Sequence, residues 1–262
     1  MDLGLTNKIA VIAAASQGMA KATAKLLALE GAKVAICARN AAALDQAAQE
    51  IADAGGEVLA KLADVNHEPQ VLAFLEAVRQ RWGRIDICVT SAGGPPSLAF
   101  EETTDEQWQA AVQQNLMGTL YFARHVLPGM KAQRWGRFLT ITSVSAKQPL
   151  DRMVISNALR AAVAGLTKTL ASEYGPYNVL VNNVLPGYTA TERLLNIAAK
   201  QAGARNITRD QAIEDWTRQI PLGRIASPEE FASVVTFLAS ERASYIAGQS
   251  IAVDGGFSRS LL

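Results

Sequence analysis

The chain has 262 residues, within reach of a single α/β domain, and 49% of them are hydrophobic, enough for a large core. A formal net charge of +1 argues against nucleic acid or an acidic surface as a partner. No run of 18 apolar residues reads as a membrane span, and the opening MDLGLTNK lacks a basic stretch followed by an apolar core, so a cytoplasmic protein is expected.

Residues 9–13 are a short apolar run, as expected of a strand buried on both faces. Ala14-Ala15-Ser16-Gln17-Gly18 is a turn of small residues. Ala22, Leu26 and Leu29 then recur at i, i+4 and i+7, with Lys21 and Lys25 on another side, which predicts an amphipathic helix stopped by Gly31. Residues 34–37 form the next strand. This unit is half of a doubly wound nucleotide-binding fold. The helix N-terminus at Gly18 would aim free N–H groups and a positive dipole end at a phosphate.

The alternation continues with helices at 41–54, 69–82, 105–130, 154–174 and 229–239, and strands at 57–62, 85–89, 138–142, 179–184 and 250–253. Thr104 enters the long third helix of this series. Ser227-Pro228-Glu229-Glu230 is a capping box with proline at the first helical position. Repeated strand–helix units predict one α/β domain over 1–262, a Rossmann-type doubly wound parallel sheet covered on both faces. Residues 191–220 stand outside the alternation, with helical patches at 194–202 and 209–218, and suit a lid. Cys37 and Cys88 fall inside predicted buried strands and read as inert core thiols. His67 and His125 are isolated, and no cluster has metal-ligand spacing.

The small-residue turn resembles the Gly-rich loop of the short-chain dehydrogenase/reductase family, T-G-x-x-x-G-x-G. Here it reads Ala13-Ala14-x-x-x-Gly18-x-Ala20, with alanine at two of three glycines. Other motifs extend the resemblance over nearly the whole chain, to members like the 3-oxoacyl-carrier-protein reductases. Asp64-Val65 follows the third strand, where the family contacts adenine. Ala92-Gly93 ends the fourth as in N-N-A-G, with Thr90 and Ser91 for the asparagines. Asn115 and Ser143 sit where the family has its catalytic asparagine and serine. Pro186-Gly187 follows the sixth strand, with Thr189 and Thr191 placed for a nicotinamide carboxamide. The closing segment from Tyr245-Ile246-Ala247-Gly248 to Asp254-Gly255-Gly256 also matches. The resemblance implies cofactor contacts from Ser16, Gln17, Gly18, Met19, Arg39, Asn40, Asp64, Val65, Ala92, Gly93, Arg160, Pro186, Gly187, Thr189 and Thr191. It also implies a homo-oligomer, a tetramer, paired through the two long helices. Those helices carry small residues beyond one core-facing stripe, including Ala161, Ala162 and Ala164.

Cofactor choice follows from charge. The second strand ends in Ala38-Arg39-Asn40, with no carboxylate to bind the adenosine ribose of NAD or to repel a 2′-phosphate. Arg39 offers a planar fork to such a phosphate, so NADP is expected.

One departure bears on the chemistry. The family's tyrosine should follow Ser143 by 13 residues and its lysine four further on, but this chain has Ser156 and Arg160 there, without a gap. A phenol with pKa of about 10 can be tuned by a neighbouring cation, whereas an alkyl hydroxyl cannot. Arg160 keeps a positive charge near the ribose and nicotinamide but cannot relay a proton. Tyr188, Lys147, Asp151 and Glu192 are the other candidate acids. The expected activity is an NADP(H)-dependent interconversion of a small ketone and a secondary alcohol, with Asn115, Ser143, Ser156 and Arg160 as the catalytic set. A redox-silent enzyme or a non-catalytic NADP-binding protein on the same scaffold are the alternatives.

Overall fold

The computed structural model describes residues 1–261. Seven strands form one parallel sheet: β1 (Ile9–Ile12), β2 (Lys33–Ala38), β3 (Val58–Leu62), β4 (Ile87–Thr90), β5 (Gly136–Ile141), β6 (Val179–Pro186) and β7 (Ser250–Val253). Their spatial order is β3-β2-β1-β4-β5-β6-β7. Successive residues of β1 point to opposite faces. Ala10 and Ile12 enter a core with Ala24, Leu27, Phe231 and Val235, while Ile9 and Val11 enter another with Phe74, Phe122 and Val126. The central strands β1, β4, β5 and β6 are buried throughout, which explains why they are mostly apolar.

Helices α1 (Gly18–Leu29), α2 (Ala41–Asp53) and α3 (Glu68–Trp82) follow the first three strands. The long helix expected over 105–130 is instead three pieces: α4 (Asp105–Ala111), a π-helical segment (Val112–Met117) and α5 (Gly118–Gln133). The wide turn leaves the Ala111 carbonyl free to accept from Asn115 Nδ2 at 3.0 Å. A π-bulge of this kind is a frequent companion of functional sites. Helix α6 (Val154–Tyr174) crosses below β5 and β6 in sequence order, and α9 (Pro228–Ala239) carries the expected capping box.

The segment expected to form a lid is a helical hairpin, α7 (Glu192–Arg205) and α8 (Arg209–Thr217). Ala198, Ala202, Ala212 and Trp216 give it a small core of its own, and Arg205 pairs with Asp215 at 2.7 Å. Cys37 and Cys88 are free thiols inside β2 and β4; burial pushes Cys37 up to about 12 and Cys88 in the same direction, so both are unreactive. Among the described residues no helix is long and apolar enough to cross a membrane.

Order reverses between β1 and β4, and the turns after these two strands frame a crevice. The turn after β1 is tied to its neighbour by Ala15 N–H donating to Cys37 O at 3.0 Å. Gly18 has φ +60°, and Ala14, standing where the resembled loop has a glycine, has φ +52°. A left-handed alanine costs about 1–2 kcal/mol, offset in part by the smaller freedom of alanine in the unfolded chain. Ala14→Gly should therefore raise stability by about 0.5–1 kcal/mol in urea unfolding. A loss of stability would mean that the Ala14 methyl contributes packing that outweighs its strain.

Candidate active site

The cleft lies at the carboxyl ends of the strands. At its β1 side, Ser16, Gln17, Gly18 and Met19 form the turn and first residues of α1. Gln17 is the N-cap and makes no side-chain capping bond, so the helix presents its first N–H groups unsatisfied. Arg39 stands exposed just past β2 and forms no ion pair or hydrogen bond with a described residue. Asn40 is engaged differently: its Oδ1 accepts from Ala43 N–H at 2.9 Å and caps α2. Asp64 turns inward on its own loop, accepting from Asn66 N–H at 3.0 Å. Val65 packs against Gly118 at the foot of α5, where a Cβ would come within 3.2 Å of its carbonyl oxygen.

The floor is made at the ends of β4, β5 and β6. Thr90, Ser91 and Ala92 line a small cavity with Val65, Gln114 and Gly118. Gly93 and Gly94 leave the end of β4 open. A Cβ on Gly93 would lie 2.9 Å from Gln114 Nε2, and one on Gly94 would lie 2.6 Å from Arg193 Nη2. Ser143 Oγ accepts from Ser145 N–H at 3.1 Å, and Ser145 Oγ lies 3.4 Å from Ser156 Oγ. Three serines thus form a chain from β5 to α6, with Ser145 as the link. Arg160, one turn beyond Ser156 on the same helix, is 5% exposed.

Past β6, Pro186 ends the strand and Gly187 faces the closing segment, where a Cβ would collide with Asp254 at 2.7 Å. Its requirement for glycine is packing against that tail. Thr189 is buried and Thr191 caps α7, accepting from Leu194 N–H at 3.3 Å. Thr191 also lies over the first turn, since a Cβ on Gly18 would be 3.2 Å from its methyl group.

Orphaned polar atoms gather here. Thr90 Oγ1, Asn115 Oδ1, Arg160 Nε and Thr189 Oγ1 are all buried with no partner. A buried polar atom left unpaired costs about 1–3 kcal/mol, so such a group at a cleft is suited to a ligand that completes it.

Residues 13–258 match the family described as enoyl-(acyl carrier protein) reductase. The chain belongs to the short-chain dehydrogenase/reductase family. A 3-oxoacyl-(acyl-carrier-protein) reductase of Synechocystis sp. is 35% identical over 254 residues, 96% of this chain and 97% of its own. That of Thermotoga maritima is 34% identical over 252 residues, 96% and 98% of the two chains. Among solved structures, L-sorbose reductase from Gluconobacter frateurii complexed with NADPH and L-sorbose has a TM-score of 0.95 at 35% identity, covering 100% of both chains. By family the chain is a short-chain oxidoreductase.

Within this family the site lacks a phenol at position 156, and the replacement acids fare unequally. Tyr188 is stacked on Trp216 with ring centroids 5.1 Å apart and meets Phe257 edge-on at 5.2 Å. Burial raises its pKa, the wrong direction for a proton donor. Tyr188 instead anchors the lid to the end of β6. Asp151 and Glu192 are exposed. Arg193 and Ser145 were not singled out by sequence reasoning. A basic residue in the first turn of a helix, at the positive end of its dipole, is the signal that could have found Arg193.

Proposed function

We propose that the protein is an NADP(H)-dependent oxidoreductase that interconverts a ketone and a secondary alcohol without a phenolic proton donor. The observation that supports this most is the set of buried polar atoms without a partner on Thr90 at the end of β4, Thr189 just past β6, Asn115 and Arg160.

The residues present fit the cofactor. The uncapped N-terminus of α1 suits a diphosphate, and the unpaired Arg39 suits a 2′-phosphate. Thr189 Oγ1 suits a carboxamide, and Asn40, though it caps α2, retains its amide donors. Bound there, NADPH would supply a hydride for the carbonyl carbon, and the oxygen would take one proton from solvent.

This chain's own residues then divide the work. Ser143 offers the hydroxyl from which the carbonyl oxygen takes a hydrogen bond, while the buried Ser145 and Ser156 hydroxyls, 3.4 Å apart, lie behind it. Arg160 holds a fixed positive charge beside them. Burial, and then the charge of Arg193, lowers its pKa to about 10, so it is still cationic at neutral pH. It stabilises negative charge as it develops on oxygen rather than donating the proton. The lid, pinned through Tyr188 and Trp216, limits water at the reacting end.

We also infer a homotetramer. Ala161, Ala162 and Gly165 are exposed along α6, and Phe100, Leu222 and Tyr245 are large exposed hydrophobics. Light scattering should give four times the 27.9 kDa chain mass; a monomer at micromolar concentration contradicts it.

For the function itself, NADPH should bind more tightly than NADH, and Arg39→Ala should weaken NADPH by about 10-fold or more while sparing NADH. Equal affinities in the wild type would overturn the cofactor choice. Ser156→Tyr with Arg160→Lys should raise kcat/KM on a neutral activated ketone by about 100-fold, the low end of what a placed acid supplies. If the double variant folds, binds NADPH and is no faster, the site has diverged beyond these two positions. A wild type that binds NADPH and reduces no carbonyl supports the non-catalytic or redox-silent alternative.

A further inference from the structure

The hairpin of α7 and α8 is attached to the rest of the molecule at few points. Its core is Ala198, Ala202, Ala212 and Trp216, and the hydrophobic partner from outside the two helices is Tyr188. The chain leaves and re-enters the body at a clasp. There Tyr188 O accepts from Ala226 N–H at 3.0 Å, and Ala190 N–H donates to Ala226 O at 2.8 Å. Among the described residues, α7 and α8 make one hydrogen bond to anything beyond residues 191–220. In it Arg193 Nη2 donates to Pro95 O at 3.3 Å.

Residues 190–193 cross the cleft between the clasp and the hairpin. Thr191 lies over the turn after β1, its methyl group 3.2 Å from where a Gly18 Cβ would be. Arg193 lies over the loop after β4. From the point that a Gly94 Cβ would occupy, Nη2, Cζ and Nη1 are 2.6, 3.1 and 3.6 Å away, so the guanidinium rests against this glycine. These two turns frame the crevice at the point where strand order reverses. Residues 190–193 therefore form a strap from one wall to the other, above the free N–H groups that open α1. The cavity at the end of β4 is about 10 Å³, room for about one water and not for a ribose.

Gly94 is the seat of the guanidinium. Its backbone is not left-handed, so conformation does not demand glycine there, whereas a methyl group would displace Arg193. Arg193 also keeps access to solvent and pairs with no carboxylate among the described residues. Arg152, Arg205, Arg218 and Arg224, by contrast, each reach one at 2.6 to 2.7 Å. A single hydrogen bond to a carbonyl, open to solvent on one side, is weak enough to break and re-form.

We propose that Arg193 is the latch of this strap. Seated on Gly94 and bonded to Pro95, it holds residues 190–193 shut across the cleft, and its release admits the dinucleotide. The clasp at Ala226 stays made while the hairpin, packed on itself, swings as a unit. The gating role rests on the NADP(H) reading of the cleft; the latch does not, and it is tested without nucleotide.

Arg193→Ala removes the latch, and Gly94→Ala blocks its seat while the arginine stays in place. Hydrogen–deuterium exchange of the full chain without nucleotide reads the strap at 188–195 and the turn beneath it at 14–20. Both variants should exchange there about 5-fold faster than the wild type, the worth of one solvent-accessible hydrogen bond. Residues 71–78 of α3, far from the strap, should stay protected as in the wild type. Stopped-flow fluorescence then follows NADPH binding, whose association rate constant should rise about 5-fold in Arg193→Ala with no loss of affinity. Arg193→Lys, which can still donate to the carbonyl, should fall between. Unchanged exchange at 188–195 and 14–20 in Arg193→Ala would overturn the latch. So would an Arg193→Ala protein that binds NADPH more weakly with no faster association, since Arg193 would then be a ligand of the cofactor. Faster exchange in the variants of a protein that binds no NADPH supports the latch and overturns the cofactor reading. Should Gly94→Ala lose protection at 71–78 and so fail to fold, Arg193→Ala and Arg193→Lys carry the comparison.

Discussion

A positive charge held out of water, with no counter-charge paired to it among the described residues, is the constraint around which this site is arranged. Arg160 enters the cleft from a helix whose other buried residues are apolar or hydroxylic. Removing such an ion from water costs on the order of several kcal/mol even after relaxation. The cost is bearable because the sheet beneath it is over-determined. Strands β1, β4, β5 and β6 are buried along their length, and Asn183 on β6 accepts from both Thr140 and Thr142 on β5, at 2.9 and 2.7 Å. A rigid floor keeps the strand ends in place while the groups above them remain unsatisfied.

That arrangement changes what an oxidoreductase of this family can rely on. A phenol at position 156 would both reach the carbonyl and give up a proton. The serine that stands there does not protrude: it is 2% exposed and lies against Ser145. On the proposed reading, chemistry that depends elsewhere on a tuned acid would depend here on a fixed charge and on the Ser143 hydroxyl. Preorganised charge of this sort is commonly the largest single contribution to lowering a barrier, because nothing has to reorient as the transition state forms. The lid is consistent with this. Its aromatic anchor, Tyr188 against Trp216, is a packing element, and the polar residue it carries over the cleft is Arg193.

Much of this was legible in the chain. A strand such as Ile9–Ile12 is an apolar run because it is covered on both faces, and helix caps such as Ser227 announce themselves by spacing. The turn at Ala14 to Gly18 was legible as a strand-to-helix turn even with alanine at a left-handed position. What was hidden depends on tertiary geometry. Nothing in Val112–Met117 distinguishes a π-helical turn from an ordinary one, because its residues favour either; the distinction lies in how Asn115 is held. Tyr188 looked like a candidate acid because it follows a strand end, but its direction is set by Trp216, nearly thirty residues later and invisible to local pattern. Asn40 was read for a ligand, and its Oδ1 also caps its own helix. Arg193 was not singled out, because only the fold brings it to Gly94 and Pro95 at the end of β4.

The dependence of turnover on pH tests the fixed-charge account most directly. Neither a serine hydroxyl nor Arg160, lowered only to about 10, changes charge between pH 6 and 9. With a substrate that does not titrate in that window, kcat/KM for NADPH-dependent reduction should be level across it. A profile that falls with an inflection between pH 6 and 9 would reveal a titrating acid and contradict the claim that a buried guanidinium has replaced one.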